Sequence, residues 1–247
     1  MFGSLAVSTL LLAVLPTAAG AIGEATRFEI RGVQIGEGAE PRPAARRRLA
    51  WEVRKRTSVQ TRLAPRRVRL DDPTIFETPF LFWSGSEPFA PLSVAEISGL
   101  RRFVDFGGMV VIDDAAPEST GFDASIRRAL GRAFPSAPLT RVPSDHTVFR
   151  AYYLVDRPVG RVHGPAFLEG IERGDRLAVI YTRHDLAGAL ERDDLGTHRF
   201  QVSPGGEMQR EAAHRLAVNL VLYALCLDYK DDQVHAPFIM RRRALNP

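Results

Sequence analysis

The chain has 247 residues, 45% of them hydrophobic and 25% charged, which is ordinary for a globular protein and enough to bury a sizeable core. Its formal net charge is only +4, and Lys55 and Lys230 are its only lysines, so arginine carries the positive charge without implying a polyanion partner. Cys226 is the sole cysteine, which excludes an internal disulfide and a cysteine-based zinc site.

Residues Met1 to Ala21 contain no charged side chain. Leu5 to Leu15 form an apolar core too short for a comfortable membrane span, and Pro16 and the small residues Ala19-Gly20-Ala21 follow it. This pattern predicts a secretory signal peptide over 1–21, with an uncleaved N-terminal anchor or a buried N-terminal segment as the alternative. The signal peptide implies a periplasmic or secreted protein with no stable membrane span after cleavage. The predicted organisation is completed by one domain over 22–230 and a C-terminal tail over 231–247.

Arg27 to Ile35 alternates apolar and polar residues and predicts a strand. Gly36 to Pro43 reads as a loop and Ala44 to Arg56 as a helix, with Ala45, Leu49 and Val53 along one stripe. Arg46, Arg47, Arg48, Arg54 and Lys55, with Arg62, Arg66, Arg67 and Arg69, make this the most basic part of the chain. Such a run is expected to be a solvated face, with a phosphate or anionic-surface contact as the sharper reading. Aromatic residues barely interleave it, which argues against nucleic-acid binding.

Phe76 to Asp114 is the most completely punctuated stretch. Phe80-Leu81-Phe82-Trp83 predicts a strand covered on both faces, and Ser84, Gly85 and Ser86 end it. Ser93 and Glu96 are spaced as a capping box, and Leu92 and Ile97 as a hydrophobic staple. Ile97, Leu100 and Val104 mark the apolar face of the helix, and Gly107-Gly108 stops it. Met109-Val110-Val111-Ile112 is a second buried strand that runs into Asp113-Asp114, so the stretch predicts a parallel βαβ unit.

A helix is predicted over Asp123 to Ala133, capped by Asp123 and stopped before Pro135. Leu139 to Tyr153 is proline-broken and aromatic and reads as loop with short strands, and Arg157 to Gly170 reads as an excursion in which Phe167 and Leu168 are made for burial. Leu177 to Tyr181 predicts a third buried strand, ending in Thr182-Arg183-His184-Asp185. Glu191 to Pro204 reads as a polar loop or hairpin. The longest helix runs from Glu207 to Leu227, with Met208, Ala212, Leu216, Leu220 and Tyr223 on one line, and it places Cys226 as a buried, inert thiol. Asn219 within it is expected to be a satisfied core amide.

Three polar clusters carry what chemistry the sequence offers. Asp113-Asp114 and His184-Asp185 follow buried strands, where open α/β sheets gather ligand sites, and Ser144-Asp145-His146 lies between them. Together Asp113, Asp114, Asp145, His146, His184 and Asp185 are the candidate ligand or acid–base residues, since carboxylates and imidazoles can hold a metal or move protons. The bland reading is that Asp113 or Asp114 caps main-chain amides and His146 bonds within its loop. Gly205-Gly206 could cradle an anion, but no Walker-type lysine accompanies it, so no cofactor is expected.

The segments PFLFWSGSEPFAPLS, LRRFVDFGGMVVIDD, FP-x-x-PL-x-x-VPSDHTVF and GDRLAVIYTRHDL, in that order, resemble a bacterial domain-of-unknown-function family, number 4159. The resemblance implies a class I glutamine amidotransferase-like, flavodoxin-like three-layer α/β sandwich with a mostly parallel sheet. It also implies a place in the cell envelope, beside MoxR-type ATPases and von Willebrand factor A proteins. Amidotransferases carry a cysteine nucleophile on a sharp turn after a strand, and no cysteine follows a buried strand here. The expectation is a non-catalytic ligand- or protein-binding module; the alternative is a hydrolase using the strand-end aspartates and histidines, with or without a metal.

Overall fold

A computed structural model of the chain describes residues 27–244, with side chains through Cys226. The predicted signal peptide lies outside the described residues. Seven strands are described: β1 (Arg31–Gln34), β2 (Arg67–Arg69), β3 (Phe80–Gly85), β4 (Met109–Asp114), β5 (Thr140–Arg141), β6 (Glu169–Arg173) and β7 (Arg176–Thr182). They form one sheet in the order β2-β1-β3-β4-β7-β6-β5. The first five in that order are parallel, and β6 and β5 add an antiparallel edge.

Five helices are described: α1 (Ala45–Arg56), α2 (Val94–Asp105), α3 (Gly121–Ala133), α4 (Leu186–Leu190) and α5 (Gly206–Ala244). Strand side chains alternate between faces, so Leu81, Trp83, Val110 and Ile112 pack under α2 and α3, while Phe80, Phe82 and Val111 pack under α1, α4 and α5. Two separate cores result, one on each face of the sheet. Each fully buried aliphatic or aromatic side chain adds roughly 1.5–3 kcal/mol, which is why the unbroken apolar runs of β3, β4 and β7 occupy the centre.

The βαβ unit forms as its punctuation predicts. The Ser93 hydroxyl accepts from Glu96 N at 3.1 Å and the Glu96 carboxylate accepts from Ser93 N at 2.8 Å, closing the capping box. Gly107 ends α2 with φ +104°, a conformation that side chains rarely adopt. Asn219 is fully buried and satisfied, its Oδ1 accepting from Tyr152 N and Tyr153 N and its Nδ2 donating to Tyr153 O.

Several expectations are corrected. Asp123 does not cap α3, whose N-cap is Thr120 without a side-chain bond; Asp123 lies within the first turn and binds Arg127 instead. The helix expected to end at Leu227 continues to Ala244, through residues assigned to the tail. Of the line predicted on α5, Leu216, Leu220 and Tyr223 are buried as expected, but Met208 is 87% exposed, because the start of the helix buries Gln209, Arg210 and Ala213 instead. Cys226, expected to be buried, is exposed. Of the antiparallel edge, β5 falls within Leu139 to Tyr153, where short strands are expected, whereas β6 begins inside the predicted excursion, whose prolines and glycines give no strand signal.

The basic run is spent largely in internal ion pairs. Arg46 grips Glu40 with Nε and Nη2 at 2.8 Å each, and Arg56 reaches both Glu52 and Glu211. At the amino ends of the first strands, Glu29 meets Arg31 and Arg66. Burial alone would raise Glu29, but the hydrogen bonds from Arg66 and Arg31 outweigh it and hold the carboxyl at about 2.

Candidate functional site

In an open α/β sheet, a crevice forms at the carboxyl ends of two neighbouring strands whose following helices lie on opposite faces. This topology makes two such places. β4 is followed by α3 and β7 by α4, on opposite faces; β1 is followed by α1 and β3 by α2, again on opposite faces.

The first place is where the sequence puts its polar clusters, and it is closed by side chains. Asp113 is fully buried, and its two oxygens accept from Leu186 N and Ala187 N at 2.8 Å each, capping α4. Asp185 adopts φ +50°, caps the same helix through Gly188 N at 2.9 Å, and receives Arg42 Nε and Nη2 at 3.1 and 2.8 Å together with Arg161. Asp114 accepts from Ala116 N at 3.0 Å and lies 3.4 Å from the Tyr181 hydroxyl. His184 is 1% exposed, with Nδ1 against the Thr182 hydroxyl and Nε2 against Pro165 O, both at 2.8 Å.

Burial dominates the electrostatics. It pushes Asp113 up to about 8, with the Asp185 charge adding to the effect and the two main-chain N–H groups opposing it. It also raises Asp114, and it holds His184 down at about 4, keeping the imidazole neutral at pH 7. These groups are bonded to one another's surroundings and sealed from solvent. The arrangement is a structural plug that ties the loop before α1, through Arg42, to α4.

Asp145 and His146 do not join it. His146 Nδ1 accepts from Val148 N, and its ring stands edge-on to Tyr223 at 5.4 Å. The Tyr223 hydroxyl accepts from Leu177 N, near the amino end of β7, so His146 lies at the opposite end of the sheet from His184. Asp145 is exposed beside it. The structure therefore brings together four of the six candidate residues and separates two. Among the described residues, no group of three or more His, Cys, Asp or Glu side chains could hold a metal ion.

The second place is open. β1 pairs with β3 only through Arg31–Leu81 and Gly32–Phe82, whereas β3 keeps its pairing with β4 as far as Gly85–Asp114. Beyond Gly32, β1 pairs only with β2, so the two strands part toward their carboxyl ends. A crevice of about 370 Å³ occupies the gap, within the range of ~300–1,000 Å³ common for small-molecule pockets. Val33, Ile35, Trp83, Phe89 and Phe122 supply its apolar lining, and Ser84, Gly85, Ser86, Gly38, Glu40 and Arg67 its polar lining. Trp83, Phe89 and Phe122 stack in series, with centroid separations of 5.4 and 5.9 Å. Gly85 is required here, since a Cβ would sit 2.1 Å from the Phe122 ring. Sequence reasoning passed over these residues because Ser84-Gly85-Ser86 reads simply as a strand terminator. Their signal was their place after the first strand of the βαβ unit.

Residues 31–225 match the model of a family described as a domain of unknown function, DUF4159. The chain belongs to the DUF4159 family. That match runs from the first strand well into α5, so both crevices lie inside the DUF4159 domain. No curated protein matches the chain.

Proposed function

We propose that this DUF4159 domain is a non-catalytic binding module whose ligand enters the open crevice between β1 and β3. One observation carries the reading: of two switch points, one is filled by its own side chains and the other stands open with an aromatic floor. A hydrolase built on the strand-end aspartates and histidines is the weaker alternative. Asp113, Asp114 and Asp185 are fully buried and hydrogen-bonded, and His146 is at the far end of the sheet, where no shared substrate could reach them.

The sheet order and the helices on both faces are compatible with a class I glutamine amidotransferase-like ancestry, without the cysteine that such enzymes use. We place the module in a cell-envelope system, with MoxR-type ATPases and von Willebrand factor A proteins as its expected company. The apolar segment over 1–21 and the family resemblance support that placement. N-terminal sequencing of protein recovered from the producing cells checks the first step; an intact Met1 on membrane-bound protein argues against a cleaved, periplasmic chain.

The crevice is tested by a thermal-shift screen of small metabolites against the parent and Ser86→Trp, which places an indole at the crevice mouth. Compounds that raise the melting temperature of the parent but not of the variant support the reading. Compounds that act equally on both place the ligand elsewhere.

A further inference from the structure

The polar wall of the open crevice contains a cation without a counterion. Arg31, Arg46, Arg66 and Arg69, its neighbours on or beside β1, α1 and β2, each pair with a carboxylate: Glu29, Glu40, Glu29 and Asp71 respectively. Arg67 differs. Its Nη2 donates to Gly38 O at 3.0 Å, its Nε is screened from solvent with no acceptor, and no carboxylate among the described residues pairs with it. Ser84, on the β3 side of the crevice, has a hydroxyl that is likewise screened from solvent and unpartnered. Buried polar atoms are nearly always hydrogen-bonded in folded proteins, and here two residues of one cavity wall each hold a polar atom without a partner, which a ligand drawing these side chains toward it would satisfy.

The crevice's own acids do not serve. Glu40 lines it, but both of its oxygens are taken by Arg46, and Glu87 is exposed at the rim. A guanidinium with hydrogen atoms to spare is matched by the oxygens of a carboxylate or phosphate, which neutralise its charge as well as accept its bonds. The opposite wall asks for different chemistry, because it is built from the aromatic rings of Trp83, Phe89 and Phe122.

We propose that the ligand is a small organic acid with a flat apolar body. Its acid group sits on Arg67, with the Ser84 hydroxyl as a second partner, and its body lies against the Trp83–Phe89–Phe122 row. This assignment rests on the reading of the crevice as the ligand site.

The test uses Trp51→Phe, which leaves Trp83 as the only tryptophan and hence a fluorescent reporter inside the crevice. Phenylacetate, phenylphosphonate and the neutral phenylacetamide are titrated against it. At least one acid should perturb Trp83 saturably, at least about tenfold more tightly than the amide, as expected for hydrogen bonds to a charged group. Adding Arg67→Gln should bring acid and amide level, and the tighter of the two acids tells carboxylate from phosphate recognition. Acid and amide binding equally to the Arg67 protein would overturn the acid assignment while leaving the crevice as a ligand site. No response of Trp83 to any of the three would overturn both. If Arg67→Gln does not fold, Ser84→Ala serves instead; it should weaken the acids several-fold and leave the amide unchanged, and equal weakening of both would count against the proposal.

Discussion

Asp185 is the residue whose replacement most directly separates a structural plug from a ligand site. It is fully buried, while the side chains of its partners Arg42 and Arg161 are 14% and 22% exposed. Replacing it with alanine strands two guanidiniums and uncaps α4 at Gly188 N. Removing one partner of a buried pair costs about 3–5 kcal/mol, which the residual exposure of both arginines reduces, and losing an N-cap costs about 1 kcal/mol. Alanine at φ +50° adds roughly 1 kcal/mol of backbone strain. Together these put Asp185→Ala at about 4 kcal/mol, a large part of the ~5–15 kcal/mol that holds a domain folded. Asp185→Asn keeps the cap oxygen and tolerates the left-handed backbone, so it should cost only about 2 kcal/mol, from hydrogen bonds that lose their charge. Urea melts followed by circular dichroism measure both. In the double variant with Arg42→Ala, the combined loss should be smaller than the sum, because the arginine is no longer left without its partner. An Asp185→Ala protein within about 1 kcal/mol of the parent would refute the structural reading. Loss of binding in such a protein would move the functional site back to the strand-end carboxylates.

Three further outcomes are expected. Asp113 is raised in the folded state, so its stabilising contribution is full below the ordinary carboxylate range and is lost as pH rises toward about 8. His184, held at about 4, acts oppositely and has its full effect above the ordinary histidine range of about 6.5. Between pH ~6.5 and ~8 the parent should therefore lose up to roughly 2 kcal/mol that Asp113→Asn does not lose; urea melts at the two ends of the window check this, and a flat parent contradicts it. Gly107→Val should cost at least about 1 kcal/mol, since valine is strained at that backbone angle, and a melt matching the parent would show that the turn accommodates it. Cys226 should react with a thiol reagent in the native protein as fast as in urea, because the last helix presents it to solvent; protection in the native state would show that something covers it.

The local structure of this chain was legible wherever one short stretch contained its whole cause. The capping box of Ser93 and Glu96, the stop at Gly107 and the apolar runs of β3, β4 and β7 depend on neighbours within a few residues, and all appear where the pattern placed them. The DUF4159 family was legible for the same reason, as ordered short segments. What sequence could not reveal was direction and distance across the fold. Asp113 and Asp185 looked like a site because they end buried strands, yet α4 turns its first N–H groups onto both carboxylates and Arg42 arrives from a loop 143 residues away. His146 resembled a third member until the chain carried it to the other end of the sheet. Arg67 was one arginine in a basic run, and folding set it in the crevice wall while bringing carboxylates to Arg46, Arg66 and Arg69. The crevice it lines exists because β1 and β3 part company after a single pair of residues on each strand, with their helices leaving to opposite faces. Hydrophobic pattern and capping act along the chain, so they fixed the elements; pairing register and charge compensation act across it, so only the tertiary structure decided which polar residues are spent and which are free.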